Sequence, residues 1–203
     1  MPEDKKCVLF DVGRVILKNL PDEHNIIASA TGLSSEKVAQ IMSTLKAPYQ
    51  RGDFSDEQFW QEFKKHTQFN RLPMGYDKLW SDSFARDTKI DTEIIKIASK
   101  LRATGHKTGI LSNTIPPHVK INRARGTYNG FDPVILSCEV NARKPEQKIF
   151  KIAVREAQMQ KSDIVFIDDD QSFVNAAKEF GIDAILYSNP QQLEQELRKR
   201  VQF

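Results

Sequence analysis

The chain is predicted to be an α/β protein, a doubly wound parallel sheet with a small all-helical insertion after its first strand. Three observations predict it. Short apolar runs recur along the 203 residues, each ending in polar side chains. Helical periodicity fills the gaps between most of these runs, and residues from about 19 to 85 carry helical pattern without a clear strand. An apolar run without alternation suits a strand buried on both faces, as in the middle of a parallel sheet. Strands alternating with helices imply right-handed crossovers.

The first run is Cys7 to Phe10, ending at Asp11 and followed by Gly13. Thr108 to Leu111 repeats the design and ends at Ser112-Asn113, and Pro133 to Leu136 is a weaker instance ending at Ser137. Ile164 to Ile167 ends at Asp168-Asp169-Asp170, and Ala184 to Tyr187 ends at Ser188-Asn189-Pro190. Between them, Thr92 to Arg102 places Ile94, Ile95, Ile97, Ala98 and Leu101 on one helical face, with Gly105 beyond its end. Glu146 to Ala157 follows Pro145, Phe173 to Phe180 precedes Gly181, and Gln191 to Val201 closes the series.

The insertion reads as helices over Asp22–Ala30, Ser34–Leu45, Ser55–Lys65 and Tyr76–Phe84. Ser34 and Ser55 are N-cap candidates, the latter with Gln58 three residues on as a capping box requires. Phe59, Trp60 and Phe63 are expected to pack within this unit. The division is therefore residues 1–18 and 86–203 as core and 19–85 as a helical cap.

Composition excludes some classes. Hydrophobic residues are 39% and charged residues 28%, ordinary for a globular protein. The net charge of +3 comes with one dense basic cluster, Arg198-Lys199-Arg200, which a helix end accommodates without nucleic acid. No apolar stretch approaches the roughly 18 residues of a membrane span. Met1 to Lys6 has no long apolar segment behind it, so no signal peptide is expected. Cys7 and Cys138 sit in apolar runs and are expected to be buried free thiols on strands, as in a reducing cytosol. A cytoplasmic protein with neither a nucleic-acid nor a membrane partner is the expectation; oligomeric state stays open.

Ligands of an open parallel sheet bind beyond the carboxyl ends of the strands. Asp11, Ser112-Asn113 and Asp168-Asp169 fall there, and Lys144 lies just before a helix. Converging carboxylates repel unless a cation offsets them, and hard Mg²⁺ prefers oxygen ligands. A carboxylate nucleophile, a hydroxyl, an amide, a lysine and acidic metal ligands are the parts phosphoryl transfer needs. Singly, each has a plainer reading: Asp11 as a turn residue, Ser112-Asn113 as a turn, Lys144 as a solvated lysine, Asp170 as a helix cap. His24, His66, His106 and His118 lack metal-ligand spacing, and His118 is assigned to the surface. Asp53 and Asp56 are read as solvated or capping.

Taken in order, Phe10-Asp11-Val12-Gly13-Arg14-Val15, Leu111-Ser112-Asn113-Thr114, Arg143-Lys144-Pro145-Glu146 and Phe166-Ile167-Asp168-Asp169 resemble the four motifs of haloacid dehalogenase-like hydrolases. Residues 51–60, Arg51 to Trp60, are similar to the cap of members with a helical insertion, and the first motif resembles sugar-1-phosphate phosphatases with an FDxGxV pattern. The resemblance implies that Asp11 attacks phosphorus and forms an aspartyl-phosphate. It implies that Asp11 and Asp168 bind Mg²⁺, with the Gly13 carbonyl as a further ligand. Asp169 at the same metal site would orient Lys144 or a water on the metal. Ser112 and the Asn113 backbone would hold phosphoryl oxygens, and Lys144 would neutralise charge. Arg14, by its position directly after Gly13, is read either as a phosphate or substrate ligand or as a surface or salt-bridged arginine.

One position departs from the pattern. Most phosphatases of this superfamily carry a second aspartate, as general acid and base, where this chain has Gly13. Such a group is typically worth about 10²–10⁴-fold. The expected function is thus a Mg²⁺-dependent phosphatase of a small phosphorylated metabolite, a sugar phosphate or an acyl phosphate whose leaving group departs readily. The alternatives are a binding or regulatory protein that kept the fold and lost turnover, and a metal-independent haloacid dehalogenase, against which the Asp168-Asp169 pair argues. A receiver-like phosphoacceptor domain would place its acidic pair before its lysine, the reverse of this order.

Overall fold

In the computed structural model, residues 5–68 and 75–203 are described; the reading made for Met1 to Asp4 lies outside them. The strands are β1 (Cys7–Phe10), β2 (Leu17–Lys18), β3 (Lys89–Ile90), β4 (Lys107–Ser112), β5 (Val134–Leu136), β6 (Ile164–Asp168) and β7 (Asp183–Leu186). The helices are α1 (Glu23–Thr31), α2 (Ser35–Arg51), α3 (Asp56–Lys65), α4 (Tyr76–Asp87), α5 (Thr92–Ala103), α6 (Pro116–Ala124), α7 (Ser137–Val140), α8 (Gln147–Ala157), α9 (Gln171–Phe180) and α10 (Pro190–Arg198).

Five strands form a parallel sheet in the order β5-β4-β1-β6-β7. The central strand shows why its sequence carries no polar residue. Val8 and Phe10 pack on one face with Ile94, Ile97 and Leu101 of α5 and Leu193 of α10. Cys7 and Leu9 pack on the other with Ile149 and Phe150 of α8 and Val174 of α9. Alternation along a strand sends neighbours to opposite faces, and helices cover both. This is the doubly wound α/β architecture expected from the sequence.

The chain leaves this layer through β2 and returns through β3, a two-stranded antiparallel ribbon in which Leu17 faces Ile90. Between them α1 to α4 enclose their own core, with Phe59 and Trp60 at 0% and 2% exposure and Tyr49 stacked on Phe59 at 4.2 Å. The caps explain the helix starts: Ser34 accepts from the Lys37 N–H, and Ser55 and Gln58 form a capping box.

Several boundaries differ from the sequence reading. Helix α2 runs to Arg51 rather than Leu45 because Pro48 is tolerated inside it, with Tyr49 fully buried just beyond. Helix α6 has no counterpart in the sequence reading; its Pro116 and Pro117 occupy the first helical turn, where a missing N–H costs nothing. The two-residue ribbon is too short to leave a periodic signal. Cys138 lies in α7, not on a strand, and is only partly buried, while Cys7 is buried on β1. Burial pushes the Cys7 thiol up to about 12 and that of Cys138 up to about 11. Among the described residues no helix is long and apolar enough to cross a membrane.

Candidate active site

Three neighbouring strands deliver side chains to one edge. Asp11 follows β1 and is tied to β6 by its N–H on the Ile167 carbonyl at 2.9 Å. Ser112 ends β4 and Asp168 ends β6, both nearly sealed at 3% and 1% exposure. Lys144, 1% exposed, comes from the loop before α8 and bridges the carboxylates at the ends of β1 and β6. Its Nζ donates to Asp11 Oδ1 at 2.6 Å and to Asp168 Oδ2 at 2.5 Å. The Phe166 and Phe173 rings flank the ammonium, each centroid 5.2 Å away.

A buried ammonium needs compensation. Burial alone would push Lys144 down, but the charges of Asp11 and Asp168 outweigh it and hold the ammonium above its ordinary value. Burial, then the nearby Asp11 charge, pushes the Asp168 carboxyl up against the pull of Lys144. Asp169 moves the same way, chiefly through burial. Carboxylate oxygens of Asp11, Asp168 and Asp169 lie within 4.8 Å of one another. Three carboxylates against one buried ammonium form an all-oxygen donor set with surplus negative charge, which suits a hard divalent cation.

Asn113 has a job the sequence did not disclose. Its Nδ2 donates to the Lys144 carbonyl at 2.9 Å, and its Oδ1 accepts from the Lys144 N–H at 2.8 Å. The side chain thus pins both ends of the lysine residue to the β4 loop. Ser137, which marked only a strand end in the sequence, also fixes that loop by accepting from the Thr114 N–H at 2.8 Å.

The same lysine loop is gripped by α2. Arg51 donates twice to Glu146 Oε1, at 3.0 and 2.6 Å, while Arg143 reaches Gln50 Oε1 at 3.1 Å. At the end of α2, Gly52 has φ +85°, and a Cβ there would sit 2.3 Å from the Cys138 carbonyl oxygen. Only glycine permits both the left-handed backbone and this close approach.

The other candidates are placed as follows. Gly13 stands two residues after Asp11; a Cβ there would lie 3.4 Å from Leu20 Cδ2 and 3.7 Å from Asp11 Oδ2. Arg14 adopts φ +58° and is largely exposed, with Nη1 3.6 Å from Asp169 Oδ2. Asp169 therefore meets Arg14 rather than Lys144, whose carboxylate partners are Asp11 and Asp168. Asp170 caps α9 by accepting from the Ser172 N–H. Asp53 pairs with Arg51, and Asp56 accepts from the Tyr49 hydroxyl.

His118 is not a surface residue. Its ring stacks on Phe84 at 3.7 Å and meets Trp80 edge-on at 5.3 Å. Its Nε2 is shielded from solvent without a hydrogen-bond partner among the described residues, and burial pulls the imidazole down to about 3. The sequence reading missed this because α6, which carries His118 onto α4, was itself missed.

Known proteins share the fold and the family pattern of the chain. The family model described as haloacid dehalogenase-like hydrolase matches residues 8–187. The mouse acyl-CoA dehydrogenase family member 10 is 25% identical over 212 residues, covering 98% of this chain and 19% of that protein. A drimenol cyclase of Aspergillus calidoustus is 21% identical over 95% of this chain and 36% of its own length. The chain thus spans about a fifth to about a third of these relatives. A HAD family enzyme of Bacteroides thetaiotaomicron, solved with magnesium and inorganic phosphate, superposes with a TM-score of 0.73 at 23% identity, covering 91% of this chain and 94% of that one. A HAD phosphatase of Thermococcus onnurineus gives 0.67 at 24% identity, over 97% and 100%. With a family model matching nearly its whole length, the chain belongs to the haloacid dehalogenase-like hydrolases.

Proposed function

We propose that the chain is a Mg²⁺-dependent phosphatase that moves a phosphoryl group from a small phosphorylated metabolite to Asp11 and then to water. The observation that carries this is the buried Lys144 ammonium bridging Asp11 and Asp168, with Asp169 close enough to complete an oxygen-lined cation site. One relative in fold, the Bacteroides thetaiotaomicron enzyme, solved both with magnesium and with magnesium and inorganic phosphate, supports the same reading. Asp11, Asp168, Asp169 and the Gly13 carbonyl would hold Mg²⁺, which supplies positive charge against the phosphoryl oxygens.

The chain's own groups do the rest. A carboxylate oxygen of Asp11 bonds to phosphorus as the ester P–O bond breaks, and the leaving oxygen departs with the bonding pair. That oxygen takes its proton from water, because position 13 offers no acid. Lys144 offsets charge on Asp11, and Ser112 with the Asn113 backbone holds the transferring oxygens. Water then cleaves the aspartyl-phosphate, releasing phosphate and restoring the carboxylate.

Phosphate release from a metabolite panel with Mg²⁺, and its loss with EDTA or in Asp11→Asn, tests the reading. Turnover that survives Asp11→Asn sinks it. Gly13 favours one second reading, a protein that binds phosphorylated ligands without hydrolysing them. Saturable binding with no hydrolysis of any panel member, acetyl phosphate included, would select it.

A further inference from the structure

Of residues 12–17, which carry the chain away from Asp11, only Arg14 is exposed. Val12 and Val15, on either side of Gly13-Arg14, are buried in the core, and the Leu17 N–H donates to the Val12 carbonyl at 2.8 Å. The backbone of the turn is therefore fixed from both ends. Arg14 itself sits at φ +58°, a left-handed conformation that a long side chain seldom takes. The result is a guanidinium rooted at the rim of the strand-end site, its side chain 74% exposed and its Nη1 3.6 Å from Asp169 Oδ2. At that distance charge, rather than a hydrogen bond, engages Asp169, so the arm can turn away without breaking a directional contact.

The charges of the site give this pair a use. Asp169 lies within 4.8 Å of Asp11 and Asp168. Lys144 serves those two, while Asp169 takes its positive partner from Arg14. Three carboxylates against these two cations leave a surplus of one negative charge. With Mg²⁺ bound the surplus changes sign, and two cations address the Asp169 carboxylate and repel one another. A phosphate dianion returns the surplus to negative, and its oxygens suit the planar fork of a guanidinium pushed off Asp169.

Resting on the phosphatase reading above, we propose that Arg14 competes with Mg²⁺ for Asp169 and, once released, pairs with the phosphoryl group. The arm then weakens the metal's hold on the carboxylates and strengthens the phosphate's hold on the loaded site. Each ion recruits the other, because phosphate gives the displaced arginine a new partner.

Opposite shifts in two affinities test this, and neither needs turnover. Mg²⁺ is titrated into the protein alone, and inorganic phosphate into the protein with saturating Mg²⁺, both by calorimetry. Arg14→Met should bind Mg²⁺ about fivefold more tightly and inorganic phosphate about fivefold more weakly, the upper end of what a largely exposed ion pair supplies. Arg14→Lys keeps the charge without the fork and should lie between the parent and Arg14→Met in both titrations. Arg14→Gly, for which the left-handed backbone costs nothing, should repeat both shifts and stands in should Arg14→Met disturb the turn. A purely structural role would weaken both affinities together. Shifts of the same sign, an unchanged value in either titration, or no measurable binding of either ion overturns the proposal. Hydrolysis of acetyl phosphate is followed separately, so a chain that never turns over fails the phosphatase reading while its two affinity shifts are still read.

Discussion

If the chain works as the proposed phosphatase, placing a carboxyl at position 13 should speed its turnover, but only for poor leaving groups. Gly13 does not adopt a left-handed backbone, and a Cβ there meets Leu20 Cδ2 at 3.4 Å and Asp11 Oδ2 at 3.7 Å, both ordinary contacts. Gly13→Asp should therefore fold. The new carboxyl would stand about 5 Å from that of Asp11, where two unit charges repel by about 3 kcal/mol at an effective dielectric of about 20. That repulsion lifts the added acid by about two pKa units, from about 4 towards 6, before a cation offsets part of it. An acid titrating there is protonated often enough to serve near neutral pH. Hydrolysis of glycerol 1-phosphate should rise by about 10²–10⁴-fold, while acetyl phosphate, whose leaving group needs no proton, should change little. Phosphate release is followed on both substrates from pH 5 to 9, and the variant should gain an alkaline limb absent from the parent. Equal rates on the alkyl ester, in a variant that melts normally and still binds Mg²⁺, would refute the view that the missing acid limits turnover.

Other substitutions probe the rest of the site. Lys144→Met leaves the Asp11 and Asp168 carboxylates buried without their shared cation; in EDTA it should lose about 3–5 kcal/mol in urea melts, with Mg²⁺ restoring part of it. Equal losses with and without Mg²⁺ would contradict a cation site there. Gly52→Ala drives a Cβ to 2.3 Å from the Cys138 carbonyl oxygen at φ +85°, so a loss of at least about 2 kcal/mol and a lower Tm are expected. His118 titrates near 6.5 when unfolded and at about 3 in the fold, so between these values the unfolded chain takes up the extra proton. Stability should therefore fall as pH drops below about 6.5, by up to about 1.4 kcal/mol per unit, and His118→Phe should flatten that slope in melts at pH 7 and 4.5. Identical slopes would show that the imidazole is not held neutral.

The sheet was legible because its strands are buried on both faces and each ends abruptly in polar residues. Asp11, Ser112 and Asp168 stand at such strand ends, whereas Lys144, in the loop before α8, was singled out only by the order of the motifs; its ammonium joins Asp11 and Asp168. What stayed hidden follows from distance along the chain. Asn113 reads as a turn residue until the lysine loop, 31 positions later, folds against it. His118 reads as a surface histidine until α6 packs on α4 and stacks its ring on Phe84. The Glu23–Lys46 pair joins two helices 23 residues apart, beyond any local periodicity.

The grip of α2 on the lysine loop has a thermodynamic consequence. Residues 143–146 present Lys144 to the carboxylates and also receive Gln50 and Arg51. Moving α2 outward would strip the loop of those contacts, so the position of the helical unit and the order of the lysine share one free energy. Linkage of this kind is reciprocal. A ligand that draws Lys144 onto a phosphoryl group must also favour the seated position of α2, and one that props α2 away must weaken the lysine's hold. A molecule lodged beneath α2 would then be sensed at Asp11 without touching it, and the loop would act as the lever between recognition and charge.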